Sequence, residues 1–289
     1  SSRLLTGRFL VRVQVGEPHS RPLRLPQGMI RPMHWLAVSE LSIPSGDSWL
    51  SETERARQAT MRFTKRRTEY RLRRYAGKRA VSALLGRPIT NAHLATVELL
   101  NRPGGAPYVR LDGQEVDFDV SLTDRAGWAI GLVGPAGSMA GSLGVDLEIV
   151  EERSAGFVAD YFTPAEQAYI HSCGPHGSEG YAVAANLLWS AKESALKVLR
   201  VGLRADTRSV EVTITPTPDD AGWAPMHVTG PHGLSFPGYW RRDGVFLLTL
   251  AFRTTASPPA LMGGGDDIAH GIPMHSWLTQ PLAPGAATT

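Results

Sequence analysis

The stretch from Phe9 to Val15 alternates apolar and polar positions, the two-residue period of a half-buried strand. Met33 to Ser39 reads as a second short strand. Thr53 to Leu85 holds only Gly77 as a breaker among good helix formers, which predicts one or two helices. Gly86 and Pro88 end them. Val97 to Leu100 is a short strand, followed by the turn cluster Asn101-Arg102-Pro103-Gly104-Gly105-Ala106-Pro107. Val116 to Leu122 alternates, Trp128 to Val133 is apolar enough for a buried strand, and Leu143 to Val150 is another strand beyond a glycine-rich loop at 134–141. Thr163-Pro164-Ala165-Glu166 has the form of a helix start, with Thr as N-cap, Pro in the first turn and Glu at the third position. Tyr181 to Leu199 is a strong helix, and Ser209 to Thr215 and Phe246 to Phe252 are strands. From Thr254 onward the chain is rich in Pro, Gly and Ala and reads as a loose tail.

Each half of this order combines helices with a small sheet. The expectation is a mixed α+β (α/β) protein: an N-terminal extension (1–32), an N-terminal half (33–142), a C-terminal half (143–254) and a flexible C-terminal tail (255–289). Composition agrees with a folded chain, since 42% of the 289 residues are apolar and seven are Trp. One cysteine, Cys173, excludes an internal disulfide framework and fits a reducing compartment. No apolar run is long enough for a membrane span, and the expectation is a cytoplasmic protein without membrane contact. The formal charge of +3 is too small for a general nucleic-acid binder, yet Arg55 to Arg79 contains eleven Lys or Arg against one acid, Glu69. That helix predicts a local anionic partner, and nucleic acid is not the one expected.

Two segments carry candidate chemistry. In Gly144-Val145-Asp146-Leu147-Glu148, a strand aims Asp146 and Glu148 to one face while Val145 and Leu147 face a core. In Trp189-Ser190-Ala191-Lys192-Glu193-Ser194-Ala195-Leu196-Lys197, Glu193 and Lys197 are neighbours one helical turn apart. Taken singly these are a solvated strand face and an ordinary helix ion pair. Taken together, Asp146, Glu148 and Glu193 form an oxygen-rich set suited to Mg²⁺, and Lys197 can neutralise a phosphate. Ser194-x-x-Lys197 also matches a nucleophile motif of penicillin-binding proteins, but its companion sequences are absent. His171, Cys173 and His176 lack a fourth ligand and read as a solvated loop.

With Phe162-Thr163-Pro164-Ala165-Glu166 and Gly202-Leu203 included, the chain from Met33 to Phe252 resembles the Sfp-type 4′-phosphopantetheinyl transferases. Their pattern runs G-[IV]-D-[IVL]-E, F-x-x-x-E, W-x-x-K-E-[AS]-x-x-K and a closing G-L. The resemblance implies two pseudo-symmetric halves, each a small sheet packed on helices, in a monomer with coenzyme A between the halves. It implies transfer of phosphopantetheine to a serine of an acyl or peptidyl carrier protein, releasing adenosine 3′,5′-bisphosphate. By position, Asp146, Glu148 and Glu193 would hold Mg²⁺, Glu193 would act as base, and Lys197 would stabilise the leaving phosphate. Lys192 would be a weaker pyrophosphate contact, and Phe162 and Glu166 would be structural.

The sequence departs from this pattern at the nucleotide end. A basic residue of a G-[KR]-P turn is here Ala106, and a Ser-His pair is here Thr123-Asp124. These positions would touch the nucleotide of coenzyme A, where a carboxylate repels phosphate. Lys65 with Arg66, Arg125, or Arg74 with Lys78 are the candidate compensating cations. The alternative is a repurposed relative that docks carrier proteins and acts on, or binds, a tethered chain without coenzyme A.

Overall fold

The computed structural model describes residues 33–135, 143–200 and 206–274. The expected N-terminal extension with its strand at Phe9–Val15, most of the 134–141 loop, and Gly202-Leu203 lie outside the described residues. In chain order the elements of the first half are β1 (His34–Ser39), α1 (Glu52–Ala59), α2 (Thr64–Leu84), α3 (Asn91–Ala95), β2 (Val97–Asn101), β3 (Pro107–Leu111), β4 (Gln114–Val116), β5 (Phe118–Arg125) and β6 (Trp128–Pro135). The second half has β7 (Leu143–Ile149), α4 (Ala155–Tyr161), α5 (Pro164–Ser172), α6 (Glu179–Val198), β8 (Glu211–Ile214), β9 (Ala224–Thr229), β10 (Ser235–Asp243) and β11 (Phe246–Phe252), and then β12 (Ala260–Leu261).

The strands form three sheets, ordered β12-β1-β6-β5, β2-β3-β4 and β7-β11-β10-β9-β8. Long helix α2 lies on β6, β1 and β5, and α6 lies on β7 and β11. The protein is thus a mixed α+β fold in which each half repeats one plan. A first strand (β1, β7) pairs antiparallel with the last (β6, β11), and a long helix covers them. One apolar cluster fills each half, around Leu36, Trp49 and Val81 in the first and Phe162, Leu188 and Phe236 in the second. A third cluster joins the halves: Trp35 of β1 meets Trp223 edge-on at 5.8 Å, over Ile130, Val145 and Leu250.

The repeat extends to a buried ion pair in each half. In the first, Ser51 and Glu54 form a capping box on α1, Glu54 Oε1 accepts from the Leu99 amide at 3.0 Å, and Oε2 pairs with Lys78 of α2. In the second, Thr163 and Glu166 cap α5, Glu166 Oε1 accepts from Val212 at 2.8 Å, and Oε2 lies 2.8 Å from Lys192 of α6. Each lysine spends its remaining hydrogens on two backbone carbonyls: Trp49 and Leu94 for Lys78, Thr207 and Val210 for Lys192. Both lysines have no exposed surface. A buried charge survives only when paired and hydrogen-bonded in this way.

Gly144 sits where β7 crosses α6. A Cβ there would lie 1.9 Å from the Ser194 carbonyl, so only glycine lets the acid-bearing strand approach its helix this closely.

The expected one or two helices over Thr53–Leu85 are two, separated at 60–63 where no Gly or Pro signals a stop. Three expectations need correction. The Val116–Leu122 strand breaks at Asp117, and its second part runs on to Arg125, which puts Thr123 and Asp124 inside β5. Strands β9 and β10 escape the period-two reading because Pro225, Pro237 and Gly238 interrupt it. The tail from 255 to 274 is not loose: it straps the first half. Ala260 and Met262 donate to the Met33 and Trp35 carbonyls at 2.9 and 2.8 Å, making β12 a parallel neighbour of β1. The Ser39 amide donates to Asp266 Oδ2 at 2.6 Å, and the Trp128 indole donates to the Ile272 carbonyl at 2.9 Å. The strap covers an otherwise bare sheet edge. Asp266→Ala should therefore cost about 1–3 kcal/mol in urea denaturation, because it leaves the Ser39 amide unpaired. An unchanged midpoint would contradict a fastening role for Asp266. No helix among the described residues is long and apolar enough to cross a membrane.

Candidate functional site

The site forms where β7 of the second half runs between α6 and β5 of the first half, touching both. Ser190, Glu193, Ser194 and Lys197 recur at the three- and four-residue spacing of one helix face, and the hydroxyls of Ser190 and Ser194 and the amine of Lys197 bond to β7 or β11. Asp146 is the centre. Its Oδ1 accepts from Lys197 Nζ at 2.8 Å and from the Thr123 hydroxyl at 3.3 Å, and its Oδ2 accepts from Ser190 at 2.9 Å. Beneath Ser190, the hydroxyls of Thr249 and Ser194 continue a fully buried chain at 2.8 and 2.6 Å. Lys197 Nζ also donates to the Val145 carbonyl at 2.7 Å, so it is held from two sides.

Two glutamates flank Asp146. Glu148 shares its strand face and is approached by Arg125 Nε at 3.0 Å and Arg153 Nη2 at 3.2 Å. Arg153 is itself oriented by Asn186 at 2.6 Å and lies over the Phe157 ring. Burial, and then the Asp146 charge, push the Glu148 carboxyl up to about 7 against the pull of the two arginines. Burial and the Asp146 charge likewise push Glu193 up to about 7, against Lys197. Glu193 Oε1 is buried and has no hydrogen-bond partner among the described residues.

Two acids are thus gathered about a third, Asp146, both raised by burial and by its charge and one with an orphaned oxygen. An all-oxygen donor set is the kind a hard divalent cation takes, and such an ion would relieve both liabilities. As they stand, no three acid, His or Cys side chains among the described residues converge on one point. Lys197 occupies Asp146, and Arg125 and Arg153 occupy Glu148, in the manner of internal counter-ions.

The other sequence-predicted residues divide. Thr123 belongs to the site through its bond to Asp146. Asp124 points its charge into an ion pair with Arg73 of α2, a cation the sequence reading did not choose. Arg125 serves Glu148 and Glu151 instead, Arg74 bonds Asn101, and Lys78 is buried on Glu54. Lys65 and Arg66 gather with Arg73 and Asp124 around Glu69, on the α2 side of β5, with Lys65 at 3.8 Å from Glu69. Lys192 needs correction: wholly buried and saturated by Glu166 and two carbonyls, it has no atom free for a coenzyme. Residues the sequence reading passed over are Arg73, Arg153, Asn186, Ser190 and Thr249. Only Ser190 had a signal there, seven residues before Lys197 on the same helix face. His176 bonds the Arg153 carbonyl and Cys173 is exposed, in keeping with a solvated loop.

Residues 142–231, from just before β7 to just past β9, match the 4′-phosphopantetheinyl transferase superfamily. That part of the chain is similar to this superfamily. The match takes in Asp146, Glu148, Glu193 and Lys197, and it ends before β10. Phosphopantetheinyl transfer is the activity the superfamily carries. No curated protein matches the chain.

Proposed function

We propose that the protein transfers 4′-phosphopantetheine from coenzyme A to a serine of an acyl or peptidyl carrier protein in a Mg²⁺-dependent reaction. The observation that carries this reading is the orphaned, buried Glu193 oxygen beside Asp146, with Lys197 on the same helix face. In the reaction the serine oxygen bonds to the phosphorus that carries the pantetheine arm, and the bond from that phosphorus to the bridging oxygen breaks. Glu193 takes the serine proton, directly or through water; a carboxyl raised towards neutrality is suited to that exchange. Lys197, held by Val145 and Asp146, keeps one hydrogen for the phosphate of the departing adenosine 3′,5′-bisphosphate. Thr123 and Ser190 hold Asp146 in its rotamer. Asp146, Glu148 and Glu193 would hold Mg²⁺, which would supply charge neutralisation at the pyrophosphate. Arg73 removes the objection raised by Asp124, since the pair presents no net charge to the nucleotide.

The test is a mass spectrum of apo-carrier proteins incubated with this protein, coenzyme A and Mg²⁺. A gain of one phosphopantetheine arm supports the reading, and no gain over a panel of carriers rejects it in favour of the repurposed relative. A second readout needs no turnover. Mg²⁺ should raise the melting temperature of the protein alone and draw the Glu148 and Glu193 carboxyls, followed by NMR, below about 7. Asp146→Asn should erase both responses. A wild-type protein indifferent to millimolar Mg²⁺ would argue against metal binding here.

A further inference from the structure

The turn between α1 and α2 carries charge that the site does not use. Arg57, Arg62 and Arg66 are exposed, and none of them forms an ion pair among the described residues. Phe63 stands among them at the N-cap of α2 with 68% of its surface exposed. The first turn of α2 contains no acid and begins Thr64-Lys65-Arg66-Arg67, so cations sit at the positive end of a 21-residue helix, the end that favours anions. The hairpin is nonetheless rigid. Tyr70 donates to the Glu54 carbonyl at 3.3 Å, Arg55 donates to the Leu50 carbonyl at 2.5 Å, and Arg71 is tied to Asp47 and lies over Trp49. Glu54 beneath them is locked by Lys78. Through Glu69, Arg73 and Asp124 the patch is continuous with β5 and the acid cluster beyond it.

We propose that this hairpin docks an acidic helical face of a protein partner, with Phe63 as the apolar contact and Arg57 and Arg62 as the flanking charges. On the reading above, on which this inference rests for the partner's identity, that partner is the carrier protein itself. A convex turn with a single exposed ring suits the side of a helix. Single-stranded nucleic acid is held by successive rings along a groove, which the hairpin lacks. Opposite charge at this place would steer the partner towards β5 and the acid cluster, where its serine must arrive.

The experiment compares the wild type with Arg57→Glu/Arg62→Glu and with Phe63→Ala, each checked for an unchanged melting curve. Two quantities are read: affinity for immobilised apo-carrier without coenzyme A, and steady-state labelling with it. The charge-reversed protein should lose at least about tenfold in carrier affinity and in carrier kcat/KM at low salt, with the KM for coenzyme A unchanged. Its residual binding should depend less on salt than the wild type's. Phe63→Ala should weaken carrier binding at every salt concentration. Labelling by the wild type with the same carrier KM in the charge-reversed protein overturns the docking site and leaves the transferase reading standing. Carrier association lost in the variant, with no labelling by the wild type, keeps the docking site and rejects the transferase reading. No carrier association by the wild type overturns the docking site, as does tight binding of a single-stranded RNA probe that the same reversal abolishes.

Discussion

Glu193→Gln should abolish the proposed labelling of the carrier protein, by at least about 10³-fold, while making the protein more stable. Both halves of this result follow from one side chain. The carboxyl is buried beside Asp146, one oxygen has no partner, and its pKa stands at about 7 against an ordinary 4.5. An acid whose folded pKa exceeds its unfolded value binds more protons in the folded state between those two values. Stability therefore falls as pH rises from about 4.5 to about 7, and above that the full penalty is present. A neutral amide at the same position removes the penalty, with a gain on the order of 1–2 kcal/mol near pH 8 once the group's partial exposure is allowed for. Urea midpoints at pH 5 and pH 8 measure it: the variant should gain at pH 8 and be nearly level with the wild type at pH 5. Loss of labelling with a simultaneous loss of stability would mean that Glu193 is a structural residue. Stability held in reserve against function is the usual state of a site that needs charge where folding does not.

Lys192→Met, one residue earlier on the same helix, should do the opposite. It should lower stability by about 3–5 kcal/mol and leave the coenzyme A affinity of the folded protein unchanged. Removing the lysine strands Glu166 as an unpaired buried carboxylate and leaves the Thr207 and Val210 carbonyls without their donor. The double change Lys192→Met with Glu166→Gln should recover part of the loss, because no charge is then left alone in the core. Denaturation midpoints and calorimetric titration with coenzyme A decide the matter. An unchanged midpoint with weakened coenzyme binding would restore Lys192 to the coenzyme pocket and overturn its assignment as a buried tie.

The contrast between these neighbours marks the limit of reading a linear motif. Trp189 to Lys197 can be placed on a helix from spacing, and Asp146 and Glu148 on one strand face from the two-residue period. Spacing does not say which way adjacent helix residues turn. Lys192 and Glu193 differ by about 100° around the helix, so one faces Glu166 and β8 and the other the acid cluster. The same holds for Thr123 and Asp124, which alternate on β5: one bonds Asp146, and the other reaches Arg73 on α2. Arg73 could not be singled out from eleven cations because its partner lies fifty-one residues away in sequence. The strap from 255 to 274 was invisible for a related reason. Its composition is that of a loop, and its order comes from backbone hydrogen bonds to β1, which any sequence can make once an open edge is near.

The sequence by itself determined the mixed α+β class, the long helices, the acid-bearing strand, the capping box at Thr163 and the set of residues from which a site can be built. These rest on local rules of periodicity, capping and strand alternation, which act within a few residues. Only the tertiary structure decided that Asp146 stands between Glu148 and Glu193, that Arg73 neutralises Asp124, that Lys192 is sealed in the core, and that the tail closes the edge of β1. Charges act through space, and which of them meet is settled by how two halves pack around Trp35 and Trp223, a contact that no local pattern along the chain encodes.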